Sequence, residues 1–263
     1  MRSTRRPACV AHATEEHVLA KKKSSSAAAE TLREIEETGD RLAEWAAQHA
    51  VLILGGIAAI LVLAAAVGLY VQHRSDVRDR AADELALTNS QYRLAMGADP
   101  AGGAAIPEPA NPELAERTRR DFAERFVRVA KKYPGTAAGA LAWLEAGKLQ
   151  AELGRPEEAE ESFVAARDAA GNRAIAALAS TRLAELAEER GDPAAAAAAY
   201  EAAADIEVYP LRAQALTQAA RCWAQAGDSD RALAAFQRFE AEFPDEVAAP
   251  EIAALIAEIR VQG

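Results

Sequence analysis

Apolar positions along this chain follow two different rhythms. From Ala50 to Val71 the sequence reads AVLILGGIAAILVLAAAVGLYV, 22 residues without a charge. As a helix rising about 1.5 Å per residue, that run is about 33 Å long, enough to cross the hydrocarbon of a bilayer. A core helix of a soluble domain keeps a polar side, whereas this run is apolar all round, so it predicts a membrane span. Trp45 just before it and Tyr70 at its end are the amphipathic aromatics that favour a membrane interface. The apolar stretch lies too far from Met1 for a cleaved leader, which predicts an anchor that stays attached. Cys9 follows Arg-Arg-Pro-Ala with no apolar region before it, which argues against a lipoprotein.

Downstream, apolar residues recur at helical spacing and are broken at regular intervals. Gly154, Gly191 and Gly227 each separate two helical patterns and stand 37 and 36 residues apart. Five residues after each comes an alanine (Ala159, Ala196, Ala232), and nine after comes an aromatic ring (Phe163, Tyr200, Phe236). A period of this length predicts a solenoid of helix pairs. Glycine ends a first helix in the left-handed conformation, alanine lets the next helix approach, and the ring fills the space between repeats. Asp192-Pro193 supplies an N-cap and a proline at the first helical position. Tyr133-Pro134, Tyr209-Pro210 and Phe243-Pro244 mark helix ends where new units begin.

These positions resemble the tetratricopeptide repeat. The first unit matches it at Trp143, Gly147, Gly154, Ala159, Phe163 and Ala166; the second has Ser180 and Ala184 in place of the Trp and first Gly, and the third has Leu216 and Ala220 but ends on Pro244. The fold expected is therefore all-α: an N-terminal tail, one transmembrane helix, and a tetratricopeptide-repeat-like α-solenoid of about three helix pairs with capping helices.

The expected boundaries are a disordered tail over 1–29, a juxtamembrane helix over 30–49 interrupted near Gly39, the span over 50–71, a helix plus hinge loop over 72–112, and the repeat domain over 113–263. Residues 1–29 carry Lys21 to Lys23 and Ser24 to Ser26 with too few large apolar side chains to order themselves. Leu114, Thr118, Phe122, Phe126, Val129 and Tyr133 share a helical face, which predicts a half-repeat over 113–133 covering the first unit. Ile252, Leu255, Ile256 and Ile259 predict the opposite cap.

Charge and composition remove several functions. Residues 1–50 hold eight Lys and Arg against eight Asp and Glu, so the whole net charge of −10 falls after residue 50, which excludes nucleic acid as a partner. Histidines stand only at His12, His17, His49 and His73, and cysteines only at Cys9 and Cys222. That distribution leaves no disulfide framework, no Cys/His metal site, no cofactor motif and no histidine-based nucleophilic catalysis in the repeats. Glu157 with Glu158 and Glu188 with Glu189 are adjacent on helices and point about 100° apart, so neither pair converges on one atom. No catalytic residue, cofactor site or metal site is assigned.

Repeat spacing places Leu144, Lys148, Glu152, Thr181, Glu185, Glu188, Thr217, Arg221 and Gln225 on the concave surface as a candidate partner groove. Their mixed charges lack the Lys, Arg and Asn cluster that would clamp a peptide's terminal carboxylate. Trp143 and Trp223 are read as core residues, and Cys222 as a small core or surface hydrophobe, not a reactive thiol. Membrane orientation stays open on charge: Arg33 and Arg41 precede the span closely, while Arg74, Arg78 and Arg80 follow it.

The order of charged tail, single anchor, hinge and alanine-rich repeats is similar to the YfgM family, ancillary subunits of the bacterial Sec translocon. YPGTAAGALAWLEAGKLQAELG, Tyr133 to Gly154, is the passage most like it. The resemblance implies a non-enzymatic single-pass protein of the inner membrane, its N-terminus cytoplasmic and its repeats periplasmic. It also implies SecYEG and a periplasmic chaperone of the PpiD type as partners. A tether for another cell-envelope complex and a cytoplasm-facing signalling adaptor are the alternatives with the same fold.

Overall fold

The computed structural model describes residues 44–99, 106–169 and 173–262, and every regular element among them is an α-helix. Contacts divide the chain into two units, 1–71 and 72–263. The expected tail lies outside the described residues, as does most of the expected juxtamembrane helix. Of the latter, residues 44–48 are helical, and the Trp45 ring stacks on His49 at 4.9 Å between centroids.

Helix α1 (Ala50–Ala95) begins with the uncharged run. Among the described residues it is the one helix long and apolar enough to cross a membrane, and none of that apolar window is buried by protein. Val51, Leu52, Ile60 and Leu69 are each more than half exposed. A bare apolar surface of this size is costly in water and is matched by hydrocarbon.

Beyond the run the pattern changes, and Ala81, Leu85, Thr88, Tyr92 and Met96 are buried. Their spacings of four, three, four and four make one helical stripe. It packs on α2 (Pro112–Lys132), where the Tyr92 ring meets Phe122 at 5.4 Å and Phe126 at 6.5 Å. The Asn111 Oδ1 caps α2 by accepting from the N–H groups of Glu113 and Leu114 at 3.0 and 3.1 Å, with Pro112 at the first helical position. The half-repeat expected over 113–133 is thus corrected: α2 is the second member of a complete helix pair whose first member is the end of α1. Residues 97–99 and 106–111 of the expected hinge are non-helical.

The chain continues as α3 (Ala137–Glu152), α4 (Pro156–Ala169), α5 (Arg173–Glu189), α6 (Pro193–Ala204), α7 (Arg212–Gln225), α8 (Ser229–Glu242) and α9 (Pro250–Gln262). Each of α2 to α8 packs on the next, and α9 lies against both α7 and α8. The physics of the breaks is local. Gly154, Gly191 and Gly227 have φ of 69, 73 and 80°, where a side chain would be strained. In each case the next residue's N–H reaches five residues back, Asp192 to the Ala187 carbonyl at 2.9 Å and Asp228 to that of Trp223 at 3.0 Å. The same two aspartates then accept from the N–H of Ala195 and Arg231, both at 3.0 Å, so one Gly-Asp pair closes a helix and opens its successor.

Small residues set the spacing between helices. Ala159, Ala196 and Ala232 are fully buried, and Phe163, Tyr200 and Phe236 are buried beside them. A Cβ on Gly147 would fall 2.6 Å from the Phe163 ring, so close approach of α3 and α4 requires glycine there. Trp143 is half-buried and touches the clusters on both sides of it. Pro244 is exposed in the turn after α8, behind the Phe243 C-cap. Ion pairs repeat the register across neighbouring units: Arg119 with Glu152, Glu188 with Arg221, and Asp205 with Arg238, each 33 residues apart.

Candidate partner groove

Helices α3, α5 and α7 are the first members of their pairs, and two cavities lie between them. One, of about 350 Å³ between α5 and α7, is walled by Leu178, Tyr200, Tyr209 and Leu211 and rimmed by Gln214 and Gln218. The other, of about 310 Å³ between α3 and α5, includes Lys148, Glu152, Phe163 and Glu189. Arg182 and Glu185 line both.

Six of the residues placed on this surface by repeat spacing line a cavity. Lys148 is exposed, and Glu152 accepts from the Arg119 Nε at 3.0 Å. The Thr181 hydroxyl donates to the Ala177 carbonyl at 3.1 Å and shares a 3.0 Å hydrogen bond with the Tyr209 hydroxyl. Glu185 accepts from Arg182. Glu188 accepts from both the Arg221 guanidinium and the Cys222 thiol, the latter at 3.0 Å. Arg221 also donates to the Gln218 Oε1 at 2.7 Å and to Gln225, itself exposed one turn on, at 3.3 Å.

Two expected groove residues are corrected. Leu144 is buried among Phe163, Ile175 and Ala179. Thr217 is buried, its hydroxyl donating to the Gln214 carbonyl at 2.9 Å. Alanine-rich helices pack so closely that more of their circumference is covered than a two-sided pattern predicts. Spacing from Thr217 overlooked Gln214 and Gln218, although Gln214, Gln218, Arg221 and Gln225 form a polar stripe with steps of four, three and four. Tyr209 and Leu211 come from the turn after α6 and leave no helical signature.

Burial governs the titrating groups here. It pushes the Cys222 thiol up to about 12, aided by the hydrogen bond to Glu188. It likewise raises the Tyr200 hydroxyl, with the Glu188 and Glu185 charges adding to the shift. Both groups stay neutral, as packing elements do. Trp223 is buried too, with the Arg231 guanidinium 4.5 Å above its ring. Glu152, Glu185 and Glu188 in the cavities are each paired with a guanidinium group, Arg119, Arg182 and Arg221, and the pairs to Arg119 and Arg221 join helices of neighbouring units.

A family model described as a tetratricopeptide repeat-like domain matches residues 43–238. No curated protein matches the chain.

Proposed function

We propose that this chain, which belongs to the tetratricopeptide repeat-like domain family, is a non-enzymatic scaffold that holds other proteins at a membrane. One observation carries this reading. The family match begins at residue 43, ahead of the apolar run, and ends inside α8, so the bare apolar helix and the repeats belong to one pattern. A protein-binding solenoid joined to a single span keeps its partners within reach of the bilayer.

The finer proposal is an ancillary subunit of the Sec translocon. Its repeats would face the periplasm and help pass secreted chains from SecYEG to a chaperone of the PpiD type. What supports it is the similarity of Tyr133 to Gly154, and of the order of tail, anchor and repeats, to the YfgM family. Six of the residues expected along the groove, Lys148, Glu152, Thr181, Glu185, Glu188 and Arg221, offer the polar contacts such clients need.

Affinity purification of the full chain from its native membrane in mild detergent, with a topology reporter fused after Gly263, tests both levels. Translocon subunits together with an external reporter support the finer reading. A cytoplasmic reporter, or a different co-purifying complex, removes it and favours the adaptor or another envelope assembly.

A further inference from the structure

We propose that the cleft between the end of α1 and α2 is a second docking surface, separate from the concave groove, for an acidic amphipathic helix of a partner protein. The proposal rests on the reading of the chain as a protein scaffold and names the chemistry of one partner. The cleft has a volume of about 640 Å³, and Arg80, Leu87, Arg125, Arg128, Val129 and Lys132 are among the residues that line it.

The charge of the segment that forms the cleft differs from that of the helices that follow. Residues 133–263 hold 11 Lys and Arg against 22 Asp and Glu, whereas residues 72–132 hold 11 against 10. Within the cleft, Glu84 is already engaged, accepting from the Lys132 ammonium at 2.6 Å and the Tyr133 hydroxyl at 2.7 Å. Three guanidinium groups are left with little compensation. Arg80 forms no ion pair among the described residues. Arg125 lies 4.6 Å over the Phe122 ring and donates to the Gln91 amide at 3.3 Å. Arg128 is 3.8 Å from Glu124, and its side chain is 65% exposed. Only Asp83 opposes them from within the lining.

Apolar surface accompanies that charge. Leu87 is 58% exposed in the cleft, and Leu94, seven residues on and thus on the same face of α1, is 54% exposed. Two exposed leucines one heptad apart, flanked by the guanidinium groups of Arg80 and Arg125 and by that of Arg128, held only by a long 3.8 Å pair with Glu124, complement a helix with apolar anchors at the same spacing and carboxylates beside them. Guanidinium–carboxylate pairs add geometric selectivity and speed encounter.

The test uses the full chain in nanodiscs of zwitterionic lipid and a fluorescent synthetic helix with leucines one heptad apart and flanking glutamates. A second helix carries the same leucines with lysines. We expect the acidic helix to bind at least tenfold more tightly, with affinity falling as salt rises. Exposed Arg128→Glu, and separately Leu87→Ser, should each weaken it about tenfold while thermal melting is unchanged. Equal binding of both helices, or indifference to both substitutions, overturns the proposal. So does an Arg128→Glu effect confined to retention of phosphatidylglycerol added to the nanodiscs, which would make the cleft a headgroup site. The purification and topology experiment does not depend on this cleft, so the two readings fail separately.

Discussion

Individual residues show how tightly this solenoid is packed. Gly147 has no room for a methyl group, because its added Cβ would meet the ring of Phe163, a side chain that is itself buried. Gly147→Ala should therefore cost about 1–3 kcal/mol, read as a lower melting temperature; an unchanged transition would show that the ring moves aside freely. Cys222 lends itself to a chemical test. Its thiol, held neutral by burial and by donation to Glu188, should resist alkylation at pH 8 in a Cys9→Ser background and react on unfolding. The folded thiol titrates above the unfolded one, so it stabilises the fold fully below about pH 9. That stability declines as pH rises from 9.0 toward about 12, because there only the unfolded thiol has lost its proton. Cys222→Ala should flatten that part of the stability profile measured by denaturant titration.

At the scale of elements, the decisive features are the joints. Gly191-Asp192 ends α5 with a left-handed glycine and starts α6 with a carboxylate cap. Asp192→Ala leaves the Ala195 N–H without its partner and should cost about 1 kcal/mol, measured by denaturant unfolding. Loss of several kcal/mol would mean that the joint also carries tertiary contacts. These joints were legible in the sequence because a cap and a turn depend on residues only a few positions apart. The pairing of α1 with α2 was not. The stripe Ala81, Leu85, Thr88, Tyr92 and Met96 can be seen in the sequence, yet nothing in it names the face it meets. The link from Glu84 to Tyr133 joins residues 49 positions apart. Groove assignment failed at Leu144 and Thr217 for a related reason, since alanine-rich helices bury more than one side.

For the whole molecule, stability passes from neighbour to neighbour, and the last helix closes the series. Ile252 and Ile256 of α9 are buried against α7 and α8, each contributing about 1.5–3 kcal/mol. Removal of residues 250–263 should lower the melting temperature markedly and expose apolar surface to a hydrophobic dye. An unaltered transition would mean that α8 needs no cover. By itself the sequence determined the helical class, the apolar run and the repeat breaks, because hydropathy, period and capping act over one or two turns. Only the tertiary structure decided that the end of α1 completes a helix pair, that Glu188 serves both Arg221 and Cys222, and that a cationic cleft opens beside Leu87. Such arrangements join side chains tens of residues apart, and their partners are selected by shape and charge after the helices have packed, which no local pattern records.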